Sequence, residues 1–133
     1  MFDILDMGAS GLLAQRVRLD TIAGNIANIN TTHDASGKVN PYHRRFVIFA
    51  PGQAGDPSQP GVHVQSVEED PGVTQRFEPG NPDADKDGYV AYPKIDLSIE
   101  MVNAMDASRA YEANVTMMET AKSMFSSSLR ILA

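Results

Sequence analysis

Cysteine is absent from this chain of 133 residues. Its absence excludes disulfide bonds, thiolate metal sites and cysteine nucleophiles, while it is compatible with either redox environment. Basic residues are also few, with 11 lysines and arginines against 17 acidic residues and a net charge of −6. Nucleic-acid backbones and anionic membrane surfaces attract cationic proteins, so this balance argues against both as the main partner.

Long apolar runs are missing as well. No stretch approaches the roughly 18 consecutive apolar residues of a membrane-spanning helix, so no direct membrane insertion is expected. The first residues include Asp3 and Asp6, where a secretory signal peptide has basic residues, and they lack a continuous apolar core. If the protein leaves the cytoplasm, the sequence predicts export without a cleaved signal peptide.

Proline and glycine are both absent after Pro93, so no residue interrupts a helix over 94–133. Asp96 is a suitable N-cap residue for this helix. Steps of four and three residues predict a heptad seam, formed by Leu97, Met101, Ala104, Ser108, Tyr111, Val115, Met118, Lys122, Phe125, Leu129 and Leu132. A helix of this length, about 55 Å, needs partners along its whole length.

A second helix is predicted in the N-terminal segment, residues 1–32. Apolar residues recur there every seven positions, at Leu5, Leu12, Leu19 and Ile26. Each of the three glycines Gly8, Gly11 and Gly24 weakens an isolated helix by up to about 1 kcal/mol. We therefore expect this helix to form against the C-terminal helix, with both chain termini at the same end of the molecule.

The middle segment, residues 33–93, has the composition of strands and turns. Strands are predicted over 42–50, 62–67, 73–77 and 88–92, and the loop 51–61, with three prolines and three glycines, is predicted to be mobile. The predicted fold class is α+β. Long N- and C-terminal helices pair as a coiled-coil hairpin, with a small β-rich insert between them.

One stretch resembles a metal-binding loop. Asp83, Asp85, Asp87 and Gly88 match the first half of a calcium-binding EF-hand loop, but Lys94 occupies the position of the bidentate glutamate. An acidic turn that ends at Gly88 is therefore the favoured interpretation, and a calcium titration would separate it from a calcium-dependent module. We find no catalytic constellation, so we expect no enzyme activity, no cofactor, no metal and no small-molecule substrate.

Three stretches resemble a known family. Residues 15–32, which include Asn25-Ile-Ala-Asn28, are similar to the N-terminal signature of bacterial flagellar rod and hook proteins. Residues 100–115, which include Arg109-Ala-Tyr111, are similar to the C-terminal signature of that family. Residues 78–93 resemble the segment that distinguishes one of the proximal rod proteins of the basal body. The resemblance covers nearly the whole chain, with the motifs in the expected order.

The resemblance implies a structural subunit of the proximal rod in the periplasmic space. Such a subunit assembles through its terminal helices into a helical tube that transmits torque and encloses the export channel. The implied partners are other flagellar rod proteins, the membrane-ring adaptor and further copies of this chain. Export would follow the flagellar type III route. The alternative is a soluble helical-hairpin binding module, such as an export chaperone, which would be a stable monomer or dimer in dilute solution.

Two sets of residues are predicted at the subunit interface. The apolar set is assigned to lateral and axial contacts and consists of Leu12, Leu19, Ile22, Ile26, Tyr111, Val115, Met118, Phe125 and Leu129. The polar set matches family motif positions and is assigned to contacts that fix the register: Asn28, Asn30, Arg109 and Asn114. The apolar residues can also serve an intramolecular coiled coil, and the asparagines can also cap the end of the first helix.

Overall fold

Two helices form the ends of the chain in a computed structural model that describes residues 2–132. Helix α1 spans Phe2–Ala27 and helix α2 spans Leu97–Leu132. The outermost positions of the predicted helical segments, 1 and 133, lie outside the described residues. Both predicted helices are confirmed, and the 36 residues of α2 correspond to about 54 Å of unbroken helix.

The predicted N-cap of α2 is confirmed. The Asp96 carboxylate accepts hydrogen bonds from the backbone N–H groups of Ser98 at 2.8 Å and Ile99 at 3.2 Å. These N–H groups have no partner within the helix, so the carboxylate satisfies donors that would otherwise face only water. Asp96 therefore fixes where α2 begins.

Helix α1 ends with a cap built from Asn28. The backbone N–H and the side-chain amide of Asn28 both donate to the carbonyl of Gly24, at 3.1 and 2.8 Å. Thr31 in turn donates its hydroxyl to the Asn28 side-chain oxygen at 3.1 Å. Asn28 thus satisfies a carbonyl of the last helical turn, and the capping interpretation holds for this asparagine.

Two antiparallel hairpins make up the insert. Strands β1 (Arg44–Pro51) and β2 (Val62–Asp70) pair with a register shift between Ile48 and Phe49. Strands β3 (Val73–Phe77) and β4 (Tyr89–Pro93) form a separate two-stranded sheet. All four predicted strands are confirmed. The β1–β2 hairpin packs against α1 and thereby brings the insert to the helices.

The loop between β1 and β2 contains its own turns. The Gly52 N–H donates to the Gly61 carbonyl at 2.9 Å, and Gln53 and Asp56 exchange backbone hydrogen bonds at 3.2 and 3.1 Å. Gly52 has a φ of +89°, and a Cβ at this position would lie 2.7 Å from the Pro57 Cα. The loop is therefore held by local hydrogen bonds, and its mobility stays a prediction.

The two helices run antiparallel and contact each other. Gly8 faces Met118, Gly11 faces Asn114, and Asn25 at the other end of α1 faces Glu100. The start of α1 and the end of α2 therefore lie at the same end of the molecule, as predicted. The fold is α+β, with terminal helices and a small antiparallel insert.

The predicted seam of α2 is wrong over much of its length. Of the seam residues, Met118 faces α1, but the other positions that face α1 or are buried are Glu100, Ala107, Asn114 and Ala121, each one residue before Met101, Ser108, Val115 and Lys122 of the predicted seam. Leu97, Met101, Tyr111 and Leu129 of that seam are exposed. The helices approach through small residues instead, because a small side chain allows a closer backbone approach than a large one.

The core of the subunit is small. Its buried apolar residues are Ala14, Ile22, Val90, Ala107 and Ala121. Three of these five are alanines, which contribute little apolar area compared with leucine or phenylalanine. The large apolar side chains lie mainly on the surface, so the fold depends on hydrogen bonds and close helix contact as well as on burial.

Candidate assembly site

A buried polar cluster joins both helices to the insert. Asn25 is 0% exposed, and its side-chain amide donates to the Arg45 carbonyl at 2.7 Å and to Glu100 Oε2 at 3.1 Å. Its side-chain oxygen accepts from the Arg45 N–H at 2.8 Å and from the Tyr42 hydroxyl at 3.3 Å. Asn25 therefore binds both backbone groups of Arg45, as a neighbouring strand would.

Glu100 forms the α2 side of this cluster and is also 0% exposed. The Arg44 guanidinium Nε donates to Glu100 Oε1 at 2.6 Å, and the Asn25 side-chain amide donates to Oε2. A buried carboxylate is tolerated only when it is paired and hydrogen-bonded, and here both oxygens have a donor. We call Asn25, Tyr42, Arg44, Arg45 and Glu100 the polar junction.

The polar junction was not predicted from the sequence. Asn25 was not assigned a contact of its own, although it lies three residues after Ile22 on an otherwise apolar face. Glu100 was not among the predicted interface residues. One signal was present: Glu100, Ala107, Asn114 and Ala121 follow one another at intervals of seven, a stripe of small and polar residues. Such a stripe indicates a close helix contact as much as an apolar seam does.

Two glycines make the closest contact between the helices. A Cβ on Gly8 would lie 2.6 Å from Met118 Cγ, and a Cβ on Gly11 would lie 2.8 Å from Asn114 Nδ2. Both distances are shorter than real Cβ contacts, so an alanine at either position would require the Met118 or Asn114 side chain to move. Gly8 and Gly11 thus contribute to packing, which outweighs their unfavourable helix propensity.

The predicted apolar interface residues differ in burial. Ile22 is buried in the subunit, whereas Tyr111 and Leu129 are exposed. The remaining six are half-buried: Leu12, Leu19, Ile26, Val115, Met118 and Phe125. Met118 lies against α1, so the structure brings part of the set together within the subunit and leaves the rest at the surface.

The predicted polar interface residues fall into two groups. Asn28 caps α1, and Asn114 lies against Gly11, so both already have a place within the subunit. Asn30 and Arg109 are exposed. Only the second pair is free to contact a neighbouring molecule without a rearrangement of the subunit.

The end of α2 extends beyond the helix contact. We call residues 124–132 the α2 tip. Met124 and Leu129 are 66% and 62% exposed, and Ile131 and Leu132 are each 85% exposed. Within 123–132, Arg130 is the sole charged residue. Met124 and Phe125 line a groove together with Ile4 of α1, whereas the apolar side chains of Leu129, Ile131 and Leu132 are exposed beyond that groove.

A groove of about 480 Å³ lies between α1 and β2, hereafter the α1–β2 groove. Its walls are mainly apolar and include Ala9, Leu13, Ala14 and Val17 of α1, and Val62 and Val64 of β2. Asp6 and His63 are its titratable lining residues. The Val62 N–H donates to the Ser10 hydroxyl at 3.2 Å, which holds the strand against the helix. The groove is open and suits an apolar side chain or helix ridge.

The second hairpin has a polar cluster at its surface. The Tyr92 hydroxyl donates to the Glu78 carboxylate at 3.1 Å, and the Arg76 guanidinium lies 4.3 Å from the centre of the Tyr92 ring. Removal from water raises the pKa of Tyr92 above its ordinary value, and the hydrogen bond to Glu78 raises it further. The phenol therefore stays protonated at neutral pH and keeps donating to Glu78.

The acidic stretch 83–88 forms a turn. One oxygen of Asp85 accepts the backbone N–H groups of Asp87 and Tyr89, both at 2.9 Å, and Gly88 has a φ of +86°. This is an Asx turn that connects β3 to β4, in agreement with the favoured interpretation. Over residues 2–132, no three histidine, aspartate or glutamate side chains are grouped as they would be around a metal ion.

Neither α1 nor α2, as described between residues 2 and 132, combines the length and the apolar character needed to span a membrane.

Both terminal regions of the chain match known protein families. Residues 5–32 match the family described as flagella basal body rod protein. Residues 86–131 match the family described as flagellar basal body rod FlgEFG protein C-terminal. The two matches contain nearly all of α1 and α2, together with β4. The helix pair is thus the part of the chain that matches flagellar basal-body rod proteins.

Comparison with individual proteins identifies the branch of the flagellar rod proteins that the chain resembles over nearly its whole length. The chain is 41% identical to the flagellar basal-body rod protein FlgC of Salmonella typhimurium, over 98% of this chain and 97% of that protein. It is 39% identical to FlgC of Borreliella burgdorferi, over 99% and 97%, and 38% identical to FlgC of Aquifex aeolicus, over 94% and 92%. The chain belongs to the FlgC family. Its relatives are structural rod proteins, which confirms the prediction of a non-enzymatic structural protein.

Proposed function

We propose that this chain is a subunit of the proximal rod and assembles through α1 and α2 into a helical tube. The tube transmits torque and encloses the export channel. One observation carries the proposal: the subunit exposes 8862 Å². A compact monomer of 14.4 kDa exposes only about 6,800 Å². Its surface is therefore about 2,000 Å² too large for a protein that works alone.

The additional surface is rich in large apolar side chains. Those on α2 are Leu97, Ile99, Met101, Val102, Met105, Tyr111, Met117, Met124, Leu129, Ile131 and Leu132. Soluble monomers rarely expose contiguous apolar patches beyond a few hundred Å², and larger patches mark interaction sites. A standard interface buries about 800 Å² on each partner, so the excess corresponds to two or more neighbours.

The apolar surface is not confined to one side of the subunit. On α1 the exposed large apolar residues are Ile4, Met7 and Leu13, while those on α2 extend over the whole helix. Different patches on one subunit make head-to-tail contacts, and these generate a filament when the rotation between neighbours does not close a ring. We propose that the helix pair acts as a coiled-coil hairpin in this filament and forms its inner wall.

Within this proposal the predicted interface residues have distinct roles. Tyr111 and Leu129 contact neighbours directly, because both are exposed in the subunit. Asn30 and Arg109 fix the register between neighbours, since their side chains are also exposed. The half-buried apolar residues support both the subunit and its contacts. Asn28 and Asn114 act mainly within the subunit.

The proposed partners are other rod proteins, the membrane-ring adaptor and further copies of this chain, in the periplasmic space. The names of the relatives support a place in the basal-body rod. Export without a cleaved signal peptide is part of the same proposal. Mass spectrometry of the chain from purified basal bodies tests this, and a truncated N-terminus would contradict it.

A matched pair of variants tests assembly. Tyr111 and Glu112 are adjacent and both exposed, and each can be replaced by serine. Tyr111→Ser removes an aromatic contact of the kind that dominates interfaces, so we expect incorporation into basal bodies to fall at least roughly tenfold. Glu112→Ser should leave it within about twofold, because an exposed charge at an interface rim contributes little. Incorporation is measured by immunoblot of purified basal bodies, with the exported amount as reference.

Two further substitutions place the contact on α2. Val115→Asp and Met118→Asp are both expected to abolish assembly while synthesis and export continue. Because Met118 lies against Gly8, its substitution also weakens the helix pair, whereas Tyr111→Ser does not. Normal motility in the Val115→Asp strain, or complete rods in cells that lack this chain, would contradict the proposed function.

A further inference from the structure

We propose that the α2 tip of one copy docks into the α1–β2 groove of a second copy of this chain. The inference rests on the proposed function and adds to it a specific contact between two named surfaces. It follows from the shape and apolar character of both surfaces, from their separation along the helix axis, and from a pair of opposite charges.

The α2 tip cannot reach the groove of its own chain. The groove lies beside Ser10, at the level where Gly11 faces Asn114. The exposed residues Leu129 to Leu132 lie 15 to 18 positions further along α2, which is about 25 Å of helix. Helix α2 is continuous as far as Leu132, so the tip points away from its own groove. A groove that the tip fills must belong to another molecule.

Leu13, which lines the groove, is a large apolar residue on a face of α1 whose other exposed residues are polar or small. Leu13 is 64% exposed and lies on the same exposed stripe of α1 as Arg16, Asp20 and Ala23. A large exposed leucine beside an apolar cavity is typical of a surface that is covered by a partner. Ile131 and Leu132 are each 85% exposed. Their docking would remove both the apolar groove surface and these two side chains from water.

Charge complementarity favours a second copy as the occupant. Asp6 lines the groove, and Asp3 lies one helical turn before it on α1. Arg130 is the sole charged residue of 123–132 and lies between Leu129 and Ile131 on the tip. An arginine on the tip can therefore meet a carboxylate at the groove, a contact that selects the orientation more than it adds affinity.

A second apolar groove, of about 620 Å³, lies beside Ile4 and fits this occupant less well. Its lining includes Met117, Met124 and Phe125 of α2 but no charged side chain. Met124 is itself part of the α2 tip, so this groove continues the tip surface and does not complement it. Of these two grooves, the α1–β2 groove is the one that offers apolar walls from two elements together with a carboxylate for Arg130.

The contact defines an arrangement of neighbours. The donor copy is displaced from the acceptor by about 25 Å along the helix axis. Because tip and groove are different surfaces, the acceptor still has its own tip free for a third copy. Such a heterologous contact propagates and does not close into a symmetric dimer.

Crosslinking tests this contact directly, because the chain has no cysteine to interfere. Leu13→Cys and Ile131→Cys are introduced together, and basal bodies are treated with a short bismaleimide. We expect crosslinked multimers of this chain, and a mixture of the two single variants should give dimers. The pair Val39→Cys and Ile131→Cys is the control, since Val39 is 54% exposed, against 64% for Leu13, but lies in the turn region of the insert. It should give no multimers.

The outcomes separate this inference from the proposed function. If the chain is present in basal bodies but Ile131→Cys crosslinks only to Ile4→Cys, or only to a different rod protein, the tip-to-groove contact is wrong and the rod function stands. If the wild-type chain is absent from basal bodies, the proposed function itself is wrong. Should the Leu13 and Ile131 pair fail to incorporate, Ala54→Cys with Leu132→Cys probes the same contact from the other wall of the groove.

A second measurement uses self-association in solution at high concentration. Ile131→Asp should weaken the association of wild-type chains roughly tenfold or more, because a charge would enter an apolar groove. Ser123→Asp, an exposed position before the tip, should change it little. Leu13→Asp and Arg16→Asp form the corresponding pair on α1. Equal association of Ile131→Asp and Ser123→Asp, measured by sedimentation, would overturn the proposal.

Discussion

The two ends of the helix pair are stabilised in opposite ways. At one end, Asn25 and Glu100 are fully buried and every polar atom of their side chains has a partner. At the other end, Gly8 and Gly11 allow close contact, and the α2 tip then continues with its apolar residues exposed. The first end is complete within one chain, and the second is not.

This difference shows how one small chain separates folding from assembly. Hydrogen bonds are directional, so the polar junction accepts a single arrangement of α1, β1 and α2. Apolar contacts are not directional, and an exposed apolar surface can be covered by a neighbour of suitable shape. The chain thus uses the specific interactions internally and presents the less specific ones at its surface.

The largest expected effect is a loss of stability when the polar junction is disrupted. In Arg44→Ala the buried Glu100 loses its cation, and we expect the free energy of unfolding to fall by about 3 kcal/mol. The matched control is Arg45→Ala, whose ion pair with Glu69 is half exposed and should contribute less than about 1 kcal/mol. Urea denaturation measures both. Adding Glu100→Gln to Arg44→Ala should restore part of the loss, and equal effects of the two alanine variants would contradict this role of the junction.

A smaller effect tests the contact between the glycines and α2. Gly11→Ala should destabilise the subunit by about 1–2 kcal/mol, because the new methyl group meets Asn114 and the overlap outweighs the gain in helix propensity. In Gly24→Ala the nearest atom is the Tyr42 hydroxyl oxygen at 3.7 Å, so the propensity gain of up to about 1 kcal/mol should remain. Thermal unfolding should thus shift in opposite directions. A shift in the same direction would show that the helices are not in close contact at Gly11.

The smallest effect concerns two turns of the insert, which should respond to acid. Hydrogen bonds from the Ser36 hydroxyl and the Lys38 N–H lower the pKa of Asp34, and the Ser58 hydroxyl likewise lowers the pKa of Asp56. A lowered pKa in the folded state means that each carboxylate stabilises its turn above its ordinary pKa of 3.8. This contribution is lost as the pH falls through the lowered value.

NMR titration of the Ser36 and Ser58 amide signals follows these turns. Both amides should move together with loss of their hydrogen bonds in the acid range, below the ordinary aspartate pKa. In Ser36→Ala the pKa of Asp34 should move back towards its ordinary value, while Asp56 is unchanged. Identical titrations of Asp34 in the wild type and Ser36→Ala would contradict the assigned cause.

Much of the fold follows from local patterns in the sequence. The absence of proline and glycine after Pro93, together with Asp96, defines α2, and the aromatic and β-branched runs define the four strands. These features depend on near neighbours in the chain, so one sequence is sufficient to locate them. The family was also accessible from three local motifs, and the comparisons with its members confirm it.

The helix face and the polar junction were not accessible in the same way. The seam prediction selected the largest apolar residues, such as Met101 and Tyr111, whereas the contact uses small and polar residues one position earlier. Asn25 and Glu100 are 75 residues apart, and no local pattern indicates that their side chains meet. Gly8 and Gly11 were counted as weaknesses of a single helix, because their value appears only when α2 lies against them.

The four hydrogen bonds of Asn25 also have a mechanical consequence. The backbone of β1 is fastened at Arg45 to a residue of α1, and that residue is bonded to α2. A force on the hairpin is therefore transmitted to both helices at one point, the side chain of Asn25. The insert and the two helices are thus mechanically coupled through the side chain of Asn25.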